Sequence, residues 1–134
     1  MPAMSSRPGI LFTAFEPSGD VLAARLIRVL RQRMADVPIW AMGGEAMSAA
    51  GAELIEHSTG SAAMLGDAVF EVIRHKQRLS RLSKWMKEHN LLAVIPTDSP
   101  AANWGVCKLA RKYHPDAKVL HLAAPQMWAW ASWR

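Results

Sequence analysis

The chain has 134 residues, 51% hydrophobic and 20% charged, a composition that excludes disorder and fits one globular domain burying about two-thirds of its unfolded surface. No apolar run approaches the roughly 20 residues that a membrane-spanning helix needs, and the polar start, MPAMSSRPG, lacks the apolar stretch of a signal peptide. Sixteen Lys and Arg against eleven Asp and Glu leave a formal charge of +5, which favours anionic partners (nucleotides, nucleic acid or acidic lipid) without choosing among them.

Residues 1–8 are expected to form a flexible tail. Residues 9–15 are an apolar run between Pro8 and Pro17 and predict a buried strand. Ser18-Gly19-Asp20 then opens a helix. Its apolar positions, Val21, Leu22, Leu26, Ile27, Leu30 and Met34, recur every three or four residues, which puts Arg25, Arg28 and Arg31 on the outward side. Residues 38–42 predict a second strand, ended by Gly43-Gly44. A short helix over residues 45–50 stops at Gly51, and residues 53–56 suit a brief third strand. Residues 65–89 have a helical pattern whose apolar face drifts. Leu65, Val69, Val72 and Ile73 share one side, whereas Val72, Leu79, Leu82 and Met86 share a rotated one, so a bend or two abutting helices is expected. Residues 91–95 form a fully apolar strand, and a helix runs from Pro100 to Tyr113 with proline in its tolerated first turn. His114-Pro115-Asp116 turns the chain into a last strand over residues 118–122. Strands alternating with helices imply crossover units, hence a doubly wound α/β fold with a parallel sheet covered on both faces, over residues 9–134.

In such sheets ligands bind beyond the carboxyl ends of the strands, which selects residues 16–20, 43–44, 98–103 and 123–130. At Ser18-Gly19-Asp20 two roles fit: backbone N–H groups open to an anion or sugar hydroxyls, or a helix cap by Ser18 or Asp20. Neither a dinucleotide fingerprint nor a P-loop is present. Asp98 follows the all-apolar strand, where a partly desolvated carboxylate can accept a proton from a hydroxyl nucleophile; capping the next helix fits its position equally well. His121 is expected in the core. His57, His75, His89 and His114 lack metal-ligand spacing and are expected at the surface or at helix ends. The single cysteine, Cys107, allows no internal disulfide and no paired-cysteine zinc motif, and its helical setting predicts a buried, inert thiol. No metal or other cofactor is expected. Arg74, Lys76, Arg78, Arg81, Lys84 and Lys87 form a basic run that contains no acid. Trp128, Trp130 and Trp133 offer a rigid amphipathic surface for sugars, a lipid interface or another domain.

Together these segments resemble the lipid-A-disaccharide synthase family. Four motifs carry the resemblance: Glu16-Pro17-Ser18-Gly19-Asp20 after a strand; the segment Gly43-Gly44-Glu45-Ala46-Met47 that runs on to Gly51; Asp98-Ser99-Pro100-Ala101-Ala102-Asn103; and Pro125-Gln126-Met127-Trp128-Ala129-Trp130. Each is weak to moderate alone, and their order and spacing are specific. The resemblance implies the amino-terminal, Rossmann-like acceptor-side domain of a glycosyltransferase-B fold. It implies transfer of a diacylated glucosamine from UDP to a hydroxyl of diacylated glucosamine 1-phosphate. Asp98 would be the general base; Ser18, Gly19, Asp20, Gly43, Gly44, Asn103, Gln126 and Trp128 would line the substrate cleft. Residues 64–87 would match the family's apolar and basic membrane patch, with Met64, Leu65, Val69, Phe70, Arg74, Lys76, Arg78 and Arg81 as contacts, an amphipathic arrangement suited to an anionic interface.

Two positions depart from the family pattern: Ala101 replaces a second aspartate, and Pro17 replaces a small polar residue. The resemblance covers about the first third of a typical member and leaves out the carboxyl-terminal domain that binds the UDP part of the donor. The chain alone is therefore expected to be inactive. Its expected partners are lipid-linked or UDP-linked acylated glucosamines, an anionic membrane surface and that further domain, with no nucleic acid. Its expected location is cytoplasmic, peripheral on the inner face of the cytoplasmic membrane. The alternative is a non-catalytic lipid- or membrane-binding module derived from the same family.

Overall fold

A computed structural model describes residues 5–59 and 68–122. Five strands and four helices follow one another as β1 (Ser5–Thr13), α1 (Pro17–Arg33), β2 (Ile39–Gly43), α2 (Glu45–Ala49), β3 (Glu53–His57), α3 (Ala68–Glu88), β4 (His89–Pro96), α4 (Pro100–Tyr113) and β5 (Lys118–Val119). The strands form one sheet in the order β3-β2-β1-β4-β5, and every pairing is parallel. This is the doubly wound, Rossmann-like α/β architecture predicted from the alternation of apolar runs and helical periods.

Alternate residues of the central strands feed two cores. Ile10, Phe12 and Ala14 pack with Ala23, Ala24 and Ile27 of α1 and Met47 of α2 on one face. Leu11, Met42 and Val94 pack with Leu82 and Met86 of α3 and Val106 and Ala110 of α4 on the other. Because both faces are covered, the central strands are apolar throughout instead of alternating with polar residues. Fully burying side chains such as Leu11, Phe12 and Ile27, each 0% exposed, stabilises the fold by about 1.5–3 kcal/mol apiece. Where α3 meets α4, a β-carbon on Gly105 would collide with the Leu79 side chain, so glycine sets how closely these helices approach.

Several elements differ from the sequence expectations. Ser5 of β1 pairs with His89 of β4, so residues 5–8, expected in a tail, lengthen the central strand. On α1, Ala23 and Ala24 face the sheet with Ile27, while Val21 and Leu22 lie exposed; small side chains let the helix sit close to the strands. Arg31 does not point outward. It donates to the carbonyls of Gly51 and Val37 and ties α1 to the turn after α2. Residues 68–88 form one continuous helix and not two abutting ones. The drifting face arises because Leu82 and Met86 are buried, whereas Val69, Val72 and Ile73 at the other end remain exposed. The last strand is two residues long, joined beyond by a bridge from Thr97 to Leu122. His121 therefore lies outside it and is only partly buried, although both its ring nitrogens are shielded and unbonded.

Candidate active site

The connections from β1 and β4 depart toward opposite edges of the sheet, so the topology switches between these two adjacent strands. Such a crevice is where open α/β sheets bind ligands. Asp98 leaves the end of β4 here with a φ of 66°, a left-handed conformation that aspartate tolerates better than most side chains. Its Oδ2 accepts hydrogen bonds from the backbone N–H groups of Phe15 and Glu16, both at 2.9 Å. Those amides precede α1 and would otherwise lack helical partners. Burial nevertheless dominates and pushes the carboxyl above the usual aspartate range, with the Glu16 and Phe15 amides acting the other way. A half-buried carboxylate with raised proton affinity at a strand's carboxyl end has the chemistry of a general base.

Asp98 does not cap the following helix. Ser99 takes that role, its hydroxyl accepting from the Ala102 amide at 3.4 Å. Asn103, 1% exposed, fixes the turn from behind. Its Nδ2 donates to the carbonyls of Thr97 at 2.8 Å and Ser99 at 3.0 Å, and its Oδ1 accepts from the Thr13 hydroxyl at 2.6 Å. The same Nδ2 reaches Asp98 Oδ1 at 3.5 Å. Gly19 faces Asp98 so closely that a β-carbon there would overlap the carboxylate. Ala101 is exposed in the first turn of α4.

Neither Ser18 nor Asp20 caps α1 by its side chain. Asp20 instead caps the neighbouring helix α2, accepting from Gly44 at 2.9 Å, Ala46 at 3.0 Å and Met47 at 3.1 Å. The positive helix start stabilises this buried carboxylate. Gly44 has no room for a side chain between Asp20 and Thr59, and Gly43 is packed under Met47. Ser18 is exposed on the first turn of α1. Thus Gly19, Asp98 and Asn103 meet at the switch point, and Asp20, Gly43 and Gly44 pack together beside it, while Ser18 is exposed nearby in sequence.

Phe15 links this carboxylate to α3. His75 lies edge-on to the Phe15 ring, with centroids 5.4 Å apart at 71°, and the Arg78 guanidinium carbon stands 5.6 Å from the ring centre. Desolvation first, and Arg78 second, hold the His75 imidazole below the ordinary histidine range, opposed by its hydrogen bond to the Ala102 backbone. His75 is therefore partly buried against Phe15 and not the surface or capping residue expected. Its three-residue spacing from Arg78, on the side of α3 that carries Leu79 and Leu82, is the signal that marks it. The backbone amides of Phe15 and Glu16 carry no side-chain signal and are found only from the fold.

The other basic positions divide. Arg74 pairs with Glu71, and Arg81 with Glu56; Lys76 is exposed. Val69 and Phe70 are 65% and 57% exposed at the start of α3. Beside the Arg81–Glu56 pair, a cleft of about 220 Å³ is lined by Met42, Ile55, Leu82 and Trp85. Met64, Leu65, Gln126 and Trp128 lie outside the described residues. His89 and His114 bond the carbonyls of Trp85 and Met86 near the end of α3, and burial raises the pKa of the partly buried Cys107 thiol. Among the described residues, no group of three or more His, Cys, Asp or Glu is placed to hold a metal ion, and no helix is long and apolar enough to cross a membrane.

A doubly wound α/β domain with an aspartate and a helix start converging at its topological switch point defines a Rossmann-like domain. The family model for lipid-A-disaccharide synthetase matches residues 10–134, and the chain belongs to that family. It is 35% identical over 98% of its length to a lipid-A-disaccharide synthase of Acidobacterium capsulatum. It is 34% identical over 92% of its length to one of Solibacter usitatus, and 33% identical over 92% to one of Xanthomonas campestris pv. campestris. The chain spans 32%, 32% and 28% of these three relatives, about a third of each.

Proposed function

We propose that the chain is the acceptor-side part of a lipid-A-disaccharide synthase, a glycosyltransferase of lipid A biosynthesis. The whole enzyme transfers a diacylated glucosamine from UDP to a hydroxyl of diacylated glucosamine 1-phosphate. The observation that carries this reading is Asp98: a carboxylate of raised proton affinity, held by two backbone amides at the switch point of a chain from this family. Asp98 takes the proton from the acceptor hydroxyl as the oxygen attacks the donor sugar and UDP leaves. Ser18, Gly19 and Asn103 shape the acceptor side, with Asp20, Gly43 and Gly44 behind them; Gln126 and Trp128 complete the substrate contacts. A carboxyl-terminal domain of the whole enzyme supplies the UDP site. The test is a chimera in which the chain replaces the corresponding third of the Acidobacterium capsulatum relative. Transfer activity is expected, and Asp98→Ala should lower turnover by roughly 10²–10⁴-fold with the fold intact. Unchanged turnover would sink the assignment.

The same reading places the enzyme in the cytoplasm, peripheral on the inner face of the cytoplasmic membrane. Exposed Val69, Phe70, Val72 and Ile73 beside Arg74 and Lys76 support it, because apolar side chains flanked by cations suit an anionic lipid interface. Met64 and Leu65 would extend that surface, and Arg81 would flank it. Flotation with anionic but not neutral vesicles, weakened by salt, is the expected result. No flotation with either vesicle rejects membrane contact.

A further inference from the structure

Phe15 does two things at once. Its backbone N–H donates to the Asp98 carboxylate, and its ring carries His75 and the Arg78 guanidinium. A single residue therefore separates an acid from a pair of bases. Arg78 is the basic residue of this helix face whose charge is left unanswered. One turn before it Arg74 pairs with Glu71, and about one turn after it Arg81 pairs with Glu56. Arg78 has no acidic partner among the described residues, and its Nε is shielded from solvent with no hydrogen-bond partner. A buried, unsatisfied guanidinium N–H is costly unless something fills it. Nor is Arg78 the counter-ion of Asp98. The groups acting on that carboxyl are Glu16, Phe15 and Ser99, and Phe15 stands between the acid and the guanidinium.

We infer that Arg78, with His75 beside it, binds a phosphate monoester while Asp98 engages a hydroxyl of the same sugar phosphate. The inference rests on the acceptor reading above and adds to it the residue that recognises the anionic end of the acceptor. A planar guanidinium matches phosphate oxygens two at a time, which an ammonium cannot do. The groups that face His75 are Arg78 from its own helix, the Phe15 ring from the loop after β1 and the Ala102 backbone from α4. Arg78 lowers its proton affinity. An anion seated between the two removes that repulsion, so phosphate binding and proton uptake by His75 reinforce each other. Arg78 is thereby assigned to the cleft and not to the membrane-facing set.

The experiment measures binding of glucosamine 1-phosphate, glucosamine, inorganic phosphate and anionic vesicles to the whole chain by amide NMR titration and flotation. Glucosamine 1-phosphate should bind at least about tenfold more tightly than glucosamine, the gain expected of a charge-assisted two-point contact. Arg78→Gln should erase that ratio, and Arg78→Lys should restore part of it. In the unmodified chain, the His75 titration should move upward when the sugar phosphate is bound. Asp98→Asn should weaken both sugars alike and keep the ratio. Inorganic phosphate should perturb His75 in the unmodified chain and not in Arg78→Gln. Survival of the ratio in Arg78→Gln overturns the inference while leaving the acceptor reading in place. Loss of vesicle flotation in Arg78→Gln with an unchanged ratio also overturns it, returning Arg78 to the membrane. Failure of both sugars to bind the unmodified chain overturns the acceptor reading itself.

Discussion

Gly19 lies directly against the carboxylate of Asp98, and a β-carbon at position 19 would occupy the space of that side chain. Position 19 is in the first turns of α1, where replacing glycine by alanine ordinarily stabilises a helix by about 0.5–1 kcal/mol. The steric conflict reverses the sign. Gly19→Ala should destabilise the chain by about 1–3 kcal/mol, as measured by urea unfolding. It should also shift the Phe15 and Glu16 amide resonances, because Asp98 must withdraw from them. A stabilised variant with unmoved amides would contradict the packing described.

Asp20 holds α2 from a neighbouring helix. Asp20→Ala removes one acceptor group from three amides and should cost about 2–3 kcal/mol. Hydrogen exchange should localise the loss: the Gly44, Ala46 and Met47 amides should lose protection before α1 does. Ser18→Ala, two residues earlier but exposed, should stay within about 0.5 kcal/mol of the parent. Equal effects at the two positions would count against the capping role.

The Asp98 carboxyl should titrate above the ordinary aspartate range, since burial outweighs its amide bonds. A raised folded-state pKa means that the folded chain holds the proton more tightly than the unfolded chain does. The resulting contribution to stability is full below the unfolded pKa and is lost as pH rises through the folded one. Side-chain carbon NMR should follow this titration directly, and Asp98→Asn should abolish the corresponding pH dependence of unfolding. A midpoint at or below that of a free aspartate would refute the burial argument.

His75 should behave in the opposite sense, titrating below the ordinary histidine range because of desolvation and then Arg78. Its contribution to stability is present above the unfolded histidine pKa and is lost as pH falls through the depressed folded one. Arg78→Gln should raise the His75 midpoint by removing the second cause. Proton NMR of the imidazole in the two chains measures both points, and an unmoved midpoint would separate Arg78 from His75.

Local chemistry made much of this architecture legible in the sequence. Leu11 and Phe12, and Val94 and Ile95, sit in continuous apolar runs because their strands are covered on both faces. The limits of α4 follow from Ser99 as cap, Pro100 in the first turn and the His114-Pro115 break. Asp98 stood out because a strand end places it there. What escaped were relationships across distance. Asp20 looked like a cap for its own helix, yet its partners lie on the next one. His75 looked like one more polar residue in a basic run, because nothing local announces that the Phe15 ring lies against it. On α3, the exposed Val69, Val72 and Ile73 mix with the buried Leu82 and Met86 to imitate two helices, since periodicity records which side chains are apolar and not which are covered.

The pairing of β1 with β4 has a consequence for how the molecule forms. Ile10 lies opposite Ala93 and Thr13 opposite Pro96, so the centre of the sheet closes only when segments far apart in the chain find each other. Long-range parallel pairing of this kind pays its loop-closure entropy before contacts reward it, and it slows folding. During synthesis β1 cannot acquire its β4 neighbour until that much later segment has left the ribosome. The amides of Phe15 and Glu16 reach Asp98 across this same seam, so the crevice is complete only once the sheet has closed.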